Sequence, residues 1–243
     1  GVSSDEIDFR DELAGNPNAL VEVMDVTIDS HVKRVFESTM RAFGTVDAVV
    51  NNAGLRQRDL YPPHGSVTLL DTEVGDWQRM FDTQVFGVVR VIKAFSAPML
   101  ANRRGSIINI GSSAWAGQNP DTREMPYKSA KGAVGTLTFY LAHELRPQNV
   151  AVNLLLPGHT RSTGSDEQER ERAEIRSKLR PDAPPSSPLR MRPEHVVPLA
   201  LFLADQDASG VTGQELSAVR WNEAQGLGAA EAWAYPPDVA ARS

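Results

Sequence analysis

The stretch VDAVVNNAG, residues 46–54, contains the unit from which the fold can be predicted. Its first five residues are mostly apolar and predict a buried strand, and NNAG at 51–54 predicts a loop at the carboxyl end of that strand. The same order returns twice, where SIINI (106–110) precedes GSS and VAVNLLL (150–156) precedes PG. Because strands that are apolar throughout need helices on both faces, these runs predict a parallel sheet inside an α/β domain.

The segments between these strands show helical spacing. From Ser30 onward apolar residues recur every three or four positions up to Phe43, and Gly44 stands where a helix C-terminus favours a left-handed residue. The remaining predicted elements are a strand in LVEVM (20–24), a long helix over about 73–102, helices over 126–145 and 193–203, and a last strand in VTGQELSAV (211–219). We therefore predict one domain over residues 1–243.

The composition fits a globular protein and excludes several chemistries. The chain has 243 residues, of which 41% are hydrophobic and 23% charged, and a formal net charge of -6. Cysteine is absent, which excludes disulfides and cysteine zinc sites and agrees with a cytoplasmic location. We expect neither a nucleic acid nor a membrane as partner, because no basic cluster with interleaved aromatics and no apolar run of about 20 residues occurs. The histidines at 31, 64, 143, 159 and 195 lack metal-ligand spacing, so we expect no metal.

The stretch YKSAK at 127–131 contains residues suited to proton transfer. Tyr127 and Lys131 are four residues apart and share one helix face, where an ammonium favours the phenolate. Ser112, at the end of the preceding strand, can hydrogen-bond a substrate oxygen, and such strand ends are where parallel sheets bind ligands. Each feature occurs by chance in other proteins, as a surface helix or a turn. Their order along successive strand ends favours acid/base chemistry on an alcohol or carbonyl.

The same residues resemble the short-chain dehydrogenase/reductase family, which transfers a hydride between NAD(P) and an alcohol or carbonyl. The resemblance runs from about Val21 to Val219 and rests on Asp25-Val26, NNAG, INIGS ending at Ser112, YKSAK and NLLLPG at 153–158. It implies a Rossmann-type, three-layer α/β/α domain with a doubly wound parallel sheet, and an NAD(P)-dependent oxidoreductase. It also implies a homodimer or homotetramer, for which the small residues around Tyr127 leave room.

The resemblance also implies roles for individual residues. Tyr127 is expected to be the general acid/base, Lys131 to lower its pKa and contact the nicotinamide ribose, and Ser112, rather than Ser113, to orient the substrate oxygen. The residues expected at the cofactor, besides Tyr127 and Lys131, are Asp25 and Val26 beside the adenine, Asn51, Ala53 and Gly54 along the channel, and Pro157, Gly158 and Thr160 at the nicotinamide. Long loops on both sides of Ser112 are expected at the mouth of the active site, where Trp115, Gln118 and His159 are possible substrate contacts, although these residues can equally serve loop packing.

Two features depart from the family pattern. The glycine-rich turn TGxxxGxG, which cradles a pyrophosphate at a helix N-terminus, does not occur, and the first β-α-β unit is missing with it. We expect the natural protein to carry that segment before Gly1. Gln84 stands where the family usually has an asparagine that holds a water in the proton relay. These departures leave open a non-catalytic binding or assembly protein on the same fold. A hydride-free enzyme resembling halohydrin dehalogenases is disfavoured, because those have arginine where this chain has Lys131.

The part of the chain after Pro157 changes in character. Residues 157–192 are polar, charged and proline-rich with a helical centre, which suits either a solvated helix and loop or a mobile substrate lid. The tail, 221–243, carries Trp221, Trp233 and Tyr235 and is expected to pack on the body of the protein or on a neighbouring subunit.

Overall fold

The structure is a computed structural model that describes residues 12–112, 123–161, 165–179, 181–182 and 189–235. Within these residues four parallel strands form one sheet, in which neighbours along the chain are neighbours in space. The strands are β1 Ala48–Asn51, β2 Gly105–Ile110, β3 Val150–Leu156 and β4 Glu215–Ser217. The prediction of a parallel α/β sheet is confirmed.

Helices connect the strands. In chain order the α-helices are α1 Asp29–Phe43, α2 Gln57–Leu60, α3 Val74–Phe81, α4 Gly87–Asn102, α5 Met125–Leu145, α6 Ser165–Leu179, α7 Val197–Ala204 and α8 Ala218–Ala224. A π-helical segment, Asp82–Phe86, joins α3 to α4, and short 3-10 turns lie at Leu69–Asp71, Arg146–Gln148, Pro193–Val196 and Ala230–Trp233. The predicted C-terminus of α1 is confirmed, since Gly44 has φ 76° and its N–H donates to the Met40 carbonyl.

The apolar core lies on both faces of the sheet. On one face, Val49 of β1 and Ile107 of β2 pack against α1 and α4, with Phe36 and Phe95 in edge-to-face contact at 5.3 Å between ring centroids. On the other face, Ile108 packs against α7. Successive residues of β2 therefore point to opposite helical layers, which explains why isoleucines occur on both faces of this strand.

Two predicted strands are corrected by the structure. Residues 20–24 form no strand and are largely exposed, since no strand in the described part of the chain lies beside them to supply hydrogen bonds. The last strand covers only Glu215–Ser217 of the predicted 211–219, because Ser217 caps helix α8 by accepting from the Arg220 N–H.

The rod formed by α3, the π-helical segment and α4 has the length and apolar composition of a membrane-crossing helix. It covers 29 residues, Val74–Asn102. Val91, Ile92, Phe95 and Met99 on its inner side belong to the core beside the sheet. We therefore interpret the rod as a core helix of the α/β domain.

Candidate active site

Helix α5 carries Tyr127 and Lys131 to the carboxyl edge of the sheet. Pro126 lies in its first turn, where a missing N–H costs nothing, and Tyr127 follows directly. Lys131 is only 6% exposed, and its Nζ donates a hydrogen bond of 2.8 Å to the Ile110 carbonyl at the end of β2. The same Nζ lies 5.9 Å from the centroid of the Tyr127 ring. The predicted pair therefore shares one space.

Ser112 meets the same phenol from the sheet side. It follows β2 by two residues, and its side chain is hydrogen-bonded to that of Tyr127. Residues from one strand end and from the next helix therefore converge on one oxygen. Such a pair of hydroxyls can hold a substrate oxygen between them.

The pKa of Tyr127 lies above its ordinary value. Burial of the ring is the main cause, and the Glu124 carboxylate acts in the same direction; the hydrogen bond from Ser112 and the charge of Arg172 partly oppose them. The net direction is upward because burial outweighs the opposing contributions of Ser112 and Arg172. Burial lowers the pKa of Lys131 itself to about 8.

Gln84 lies in the π-helical segment and is almost fully buried. Its Nε2 donates a 2.7 Å hydrogen bond to the Leu55 carbonyl, just past NNAG. A Cβ at Gly54 would come within 3.1 Å of that nitrogen, so the glycine permits the close approach. The Oε1 of Gln84 is buried and has no partner among the described residues. π-Bulges are frequent at functional sites, and the helical pattern gave no sign of this one.

A ladder of buried amides and a hydroxyl joins the strand that precedes NNAG to helix α5. Asn51 Nδ2 donates to Asn109 Oδ1 at 2.8 Å, and Asn109 Nδ2 donates to Thr138 Oγ1 at 2.9 Å. All three side chains are buried. The predicted role of Asn51 in steadying the sheet agrees with this contact, whereas Asn109 and Thr138 were missed because each looks like an ordinary strand or helix residue.

The residues expected beside the adenine lie together. Val26 is buried against Gly87, where a Cβ would come within 2.6 Å of its Cγ2. Asp25 is exposed, and its carboxylate accepts from the Thr27 N–H and hydroxyl, which together lower its pKa. One small cavity brings Val26 together with the NNAG residues and the rod; its lining consists of Val26, Asn51, Ala53, Thr83, Gly87, Val88 and Val91.

A buried histidine contacts the turn that follows β3. The Pro157 carbonyl contacts His195 Nε2, and Nδ1 of that ring lies 2.6 Å from the Arg192 carbonyl. Gly158 has φ 76°, a conformation that favours glycine, and Thr160 pairs with Met191. His195, interpreted from the sequence as a packing or hydrogen-bonding residue, is fully buried here.

Helix α6 contacts the start of α5 and carries charged residues that sequence reasoning did not connect to the site. Arg172 donates to Glu124 Oε1 at 2.7 Å, next to the catalytic helix. The pKa of His159 is lowered, first because desolvation disfavours its imidazolium and second because Arg172 repels it. His159 and Arg172 therefore lie on the same side of the site as Tyr127. No local sequence pattern could pair residues so far apart.

Comparison with known proteins identifies the family. A family model described as enoyl-(acyl carrier protein) reductase matches residues 4–218. The fluoren-9-ol dehydrogenase of Terrabacter sp. (strain DBF63) is 40% identical over 249 residues, which cover 97% of this chain and 67% of that enzyme. The chain belongs to the short-chain dehydrogenase/reductase family. It is thus an oxidoreductase that interconverts alcohols and carbonyls with NAD(P).

Solved structures of this dehydrogenase/reductase fold agree. ElxO with NADP bound matches with a TM-score of 0.64 at 26% identity, covering 80% of this chain and 74% of that one. NAD+-bound xylitol dehydrogenase matches with a TM-score of 0.65 at 27% identity, covering 81% and 76%. Among the residues expected from the family, Ser113, Trp115 and Gln118 lie outside the described residues.

Proposed function

We propose that the protein oxidises a secondary alcohol to a ketone, and reverses the reaction, with Tyr127 as acid/base. The observation that carries the proposal is the convergence at the end of β2. Ser112 bonds the Tyr127 hydroxyl there, and Lys131 Nζ is anchored two residues earlier, on the Ile110 carbonyl. A substrate hydroxyl placed between Ser112 and Tyr127 would be held by one and deprotonated by the other.

The favoured direction of the reaction and its dependence on pH follow from the pKa of Tyr127. Its raised pKa keeps the phenol protonated at neutral pH, which suits proton donation to a carbonyl. Oxidation of an alcohol needs the phenolate, so it should be favoured at higher pH. While Lys131 is protonated, below about pH 8, its charge close to the ring favours the phenolate.

Residues that would hold NAD(P) fit the dinucleotide in part of the site. Val26 and Ala53 line one small crevice beside NNAG, and we propose that Asp25 and Val26 flank the adenine. Gly54 would line the channel, where its missing side chain lets the Gln84 amide approach, and the turn from Pro157 to Thr160 would face the nicotinamide. When bound, the nicotinamide supplies or accepts the hydride. Lys131 would also meet the adjoining ribose.

Gln84 is proposed to take part in proton exchange with solvent. Its Nε2 is committed to the Leu55 carbonyl, while its buried Oε1 remains available to accept a hydrogen bond from a water molecule. Such a water could pass a proton onward from the Tyr127–Lys131 pair. In this way glutamine would do the work expected of asparagine, with one methylene more between backbone and amide.

For the substrate we propose an alcohol flanked by aromatic rings, of the type of fluoren-9-ol. The support is the 40% identity with an enzyme of that name over 97% of the chain. We propose that residues 157–192, with α6 at their centre, act as the substrate lid, and that Trp115, Gln118 and His159 contact the substrate.

The test uses protein produced from its whole reading frame. Fluoren-9-ol is offered with NAD+ or NADP+, and nicotinamide reduction is followed by absorbance. We expect turnover with at least one of the two nucleotides. If neither fluoren-9-ol nor any member of a panel of aliphatic and aromatic secondary alcohols is oxidised with either nucleotide, the proposed reaction is contradicted and the non-catalytic alternative is favoured.

We further propose a cytoplasmic homodimer or homotetramer that needs neither nucleic acid nor membrane. Support for association comes from exposed apolar residues on the outer sides of the rod and of α5, among them Val74, Phe86 and Tyr140. An apolar groove on the rod runs through the same region and is lined by residues 74–75, 77–79, 81–82 and 86. Light scattering during gel filtration should give a mass of two or four chains.

A further inference from the structure

Three charged or titratable side chains form a cluster beside the acid/base, which we call the clasp: His64 and Glu124, which are buried, and Arg172, which is partly exposed. Arg172 donates from Nη2 to Glu124 Oε1 at 2.7 Å and from Nε to His64 Nε2 at 2.9 Å. His64 Nε2 lies 3.1 Å from the same Glu124 oxygen. His64 is fully buried and Glu124 is 5% exposed. Burying charges costs free energy, so their pairing across three separate segments calls for a functional explanation.

Further contacts dock helix α6 onto the segment 55–76, which carries His64 and which we call the insert. Arg58 bonds Glu171 at 2.9 Å and Glu167 at 2.7 Å, and Glu171 also accepts from the His64 backbone N–H at 2.8 Å. Gln168 contacts His64 Nδ1 at 3.2 Å. One face of α6 therefore supplies Glu167, Gln168, Glu171 and Arg172 to the insert. The helix has no buried apolar residue, so polar contacts dominate its attachment.

The clasp adjoins the acid/base. Glu124 precedes Tyr127 by three residues at the start of α5, and its carboxylate disfavours the phenolate, whereas Arg172 favours it. The insert reaches the same place through Gln57, whose Oε1 accepts from the Tyr127 backbone N–H at 3.4 Å. Glu124 and Arg172 thus act on the phenol in opposite directions, and they reside on different elements.

Resting on the function proposed above, we propose that Arg172 is a positioning residue of the reaction: by bringing its charge to Glu124, the lid helix α6 couples its own docking to ionisation of Tyr127. With α6 docked, the guanidinium offsets the carboxylate next to the phenol. With α6 displaced, Glu124 faces Tyr127 without that cation, and the phenolate is disfavoured as long as the lost charge outweighs the hydration that the ring gains. The proton-accepting form would then be available mainly when the lid is closed over a substrate.

The other charged groups around the clasp lie on different elements. Lys128, on α5 itself, approaches Glu124 Oε2 at 3.8 Å, and Lys131 lies on the sheet side of the ring. The pKa of His159, which follows β3, is influenced by the charges of Glu124, Arg172 and Glu169. Lys128 and Lys131 belong to α5 and do not leave with α6, whereas His159 lies at the start of the proposed lid, in the turn after β3. Arg172 and Glu169 leave with the helix, and of these two only Arg172 favours the phenolate.

The test compares Arg172→Gln with the double variant Glu124→Gln/Arg172→Gln. For alcohol oxidation, we expect Arg172→Gln to move the kcat profile to higher pH, with a rate about tenfold lower at neutral pH and a plateau near that of the wild type. Replacing Glu124 as well should move the profile back. A helix that merely covers the site would raise KM and leave the profile in place.

A second readout does not depend on turnover. Tyrosines labelled with carbon-13 are titrated by NMR without substrate, and the Tyr127 signal is assigned with Tyr127→Phe. We expect Tyr127 to titrate at higher pH in Arg172→Gln and to return in the double variant. The matched control is Lys178→Gln, which removes an exposed cation from the same helix and should leave both readouts unchanged.

Failure of this inference and failure of the proposed function give different experimental results. A Tyr127 titration that stays in place or moves to lower pH in Arg172→Gln overturns the inference, because the second result means that added solvent outweighs the lost charge. A shift that the double variant fails to reverse also overturns it, since Glu124 is then not the partner. Absence of turnover in the wild type would instead contradict the proposed function, and the titration would still decide the role of Arg172.

Discussion

Asn109 and Glu171 each join distant parts of the chain at the active site, but in different surroundings. Asn109 lies in the sheet, is fully buried, and bonds two neutral side chains. Glu171 lies on α6, has a partly exposed side chain, and bonds the charged Arg58 and a backbone N–H. Neutral hydrogen bonds sealed from water are costly to break, whereas ion pairs near solvent contribute little net stability. The sheet edge is therefore built to stay fixed, and α6 is built to be released.

The largest expected effect concerns Tyr127, which lies between the two regions: the fixed sheet edge and the movable helix α6. Tyr127→Phe keeps the ring and removes only the hydroxyl that Ser112 bonds. We expect turnover to fall about a thousandfold, since a positioned acid/base contributes factors of this order. Thermal unfolding should change little, because the packing around the ring is kept.

Tyr140→Phe is the matched control, because Tyr140 lies on the same helix and is 77% exposed. It should leave both turnover and unfolding unchanged. Substantial activity in Tyr127→Phe would assign the acid/base to another group, and the comparison of the two regions would lose its common centre.

The next effect tests the fixed region. Asn109→Leu leaves Asn51 Nδ2 without its acceptor and Thr138 Oγ1 without its donor, both inside the core. Buried polar groups that lose their partners cost about 1–3 kcal/mol, so the free energy of unfolding should fall by about 3 kcal/mol in a denaturant titration.

Asn102→Leu serves as the control, since the Asn102 side chain is exposed and makes one long contact of 3.4 Å. We expect a change within about 0.5 kcal/mol. Equal effects of the two substitutions would mean that the amide ladder does not hold the sheet edge together.

Lys131 places a titratable amine in the fixed region, so the free energy of unfolding depends on pH. Its pKa is about 8 in the folded protein against 10.5 in the unfolded chain. Between these values the unfolded state binds more protons, so stability rises with pH there. The destabilisation is fully present below about pH 8 and is lost as the pH approaches 10.5.

Comparison with Lys131→Met isolates this contribution, because methionine has a similar shape and no proton to exchange. Without nucleotide, the unfolding free energy of the wild type relative to the variant should rise by about 3 kcal/mol over that pH window. A difference that is independent of pH would show that Lys131 is as well solvated when folded as when unfolded.

The regular parts of the fixed region could be predicted from the sequence. SIINI and VAVNLLL are mostly apolar runs whose residues alternate between two helical layers, and both strands lie where they were predicted. The segment at 20–24 has the same appearance, yet it forms no strand, because strand formation also requires a neighbour that no local pattern reveals.

The site was predictable where motifs are local and not where partners are distant. Tyr127 and Lys131 lie one helical turn apart, so their spacing alone predicts a shared face. His64 and Arg172 are far apart in sequence, and each looks like an ordinary polar residue until the chain is folded. The π-helical segment around Gln84 was missed for a related reason: one extra residue in a turn leaves the apolar pattern of a long helix nearly unchanged.

The smallest global effect is expected in the movable region, with Arg58→Gln. The substitution removes the ion pairs to Glu167 and Glu171 that tie α6 to the insert. Because these pairs lie near solvent, the free energy of unfolding should fall by less than about 1 kcal/mol. Hydrogen exchange along α6 should nevertheless accelerate, because the helix has no buried apolar residue to retain it.

Arg170→Gln is the control, since it removes an exposed arginine from α6 itself and should leave exchange unchanged. The sheet strands should keep their protection in both variants, because the amide ladder does not involve α6. Faster exchange in β2 and β3 together with α6 would mean that the two regions open as one unit. Docking of α6 could then not be separated from global folding, and a lid that acts on Tyr127 by moving alone would be excluded.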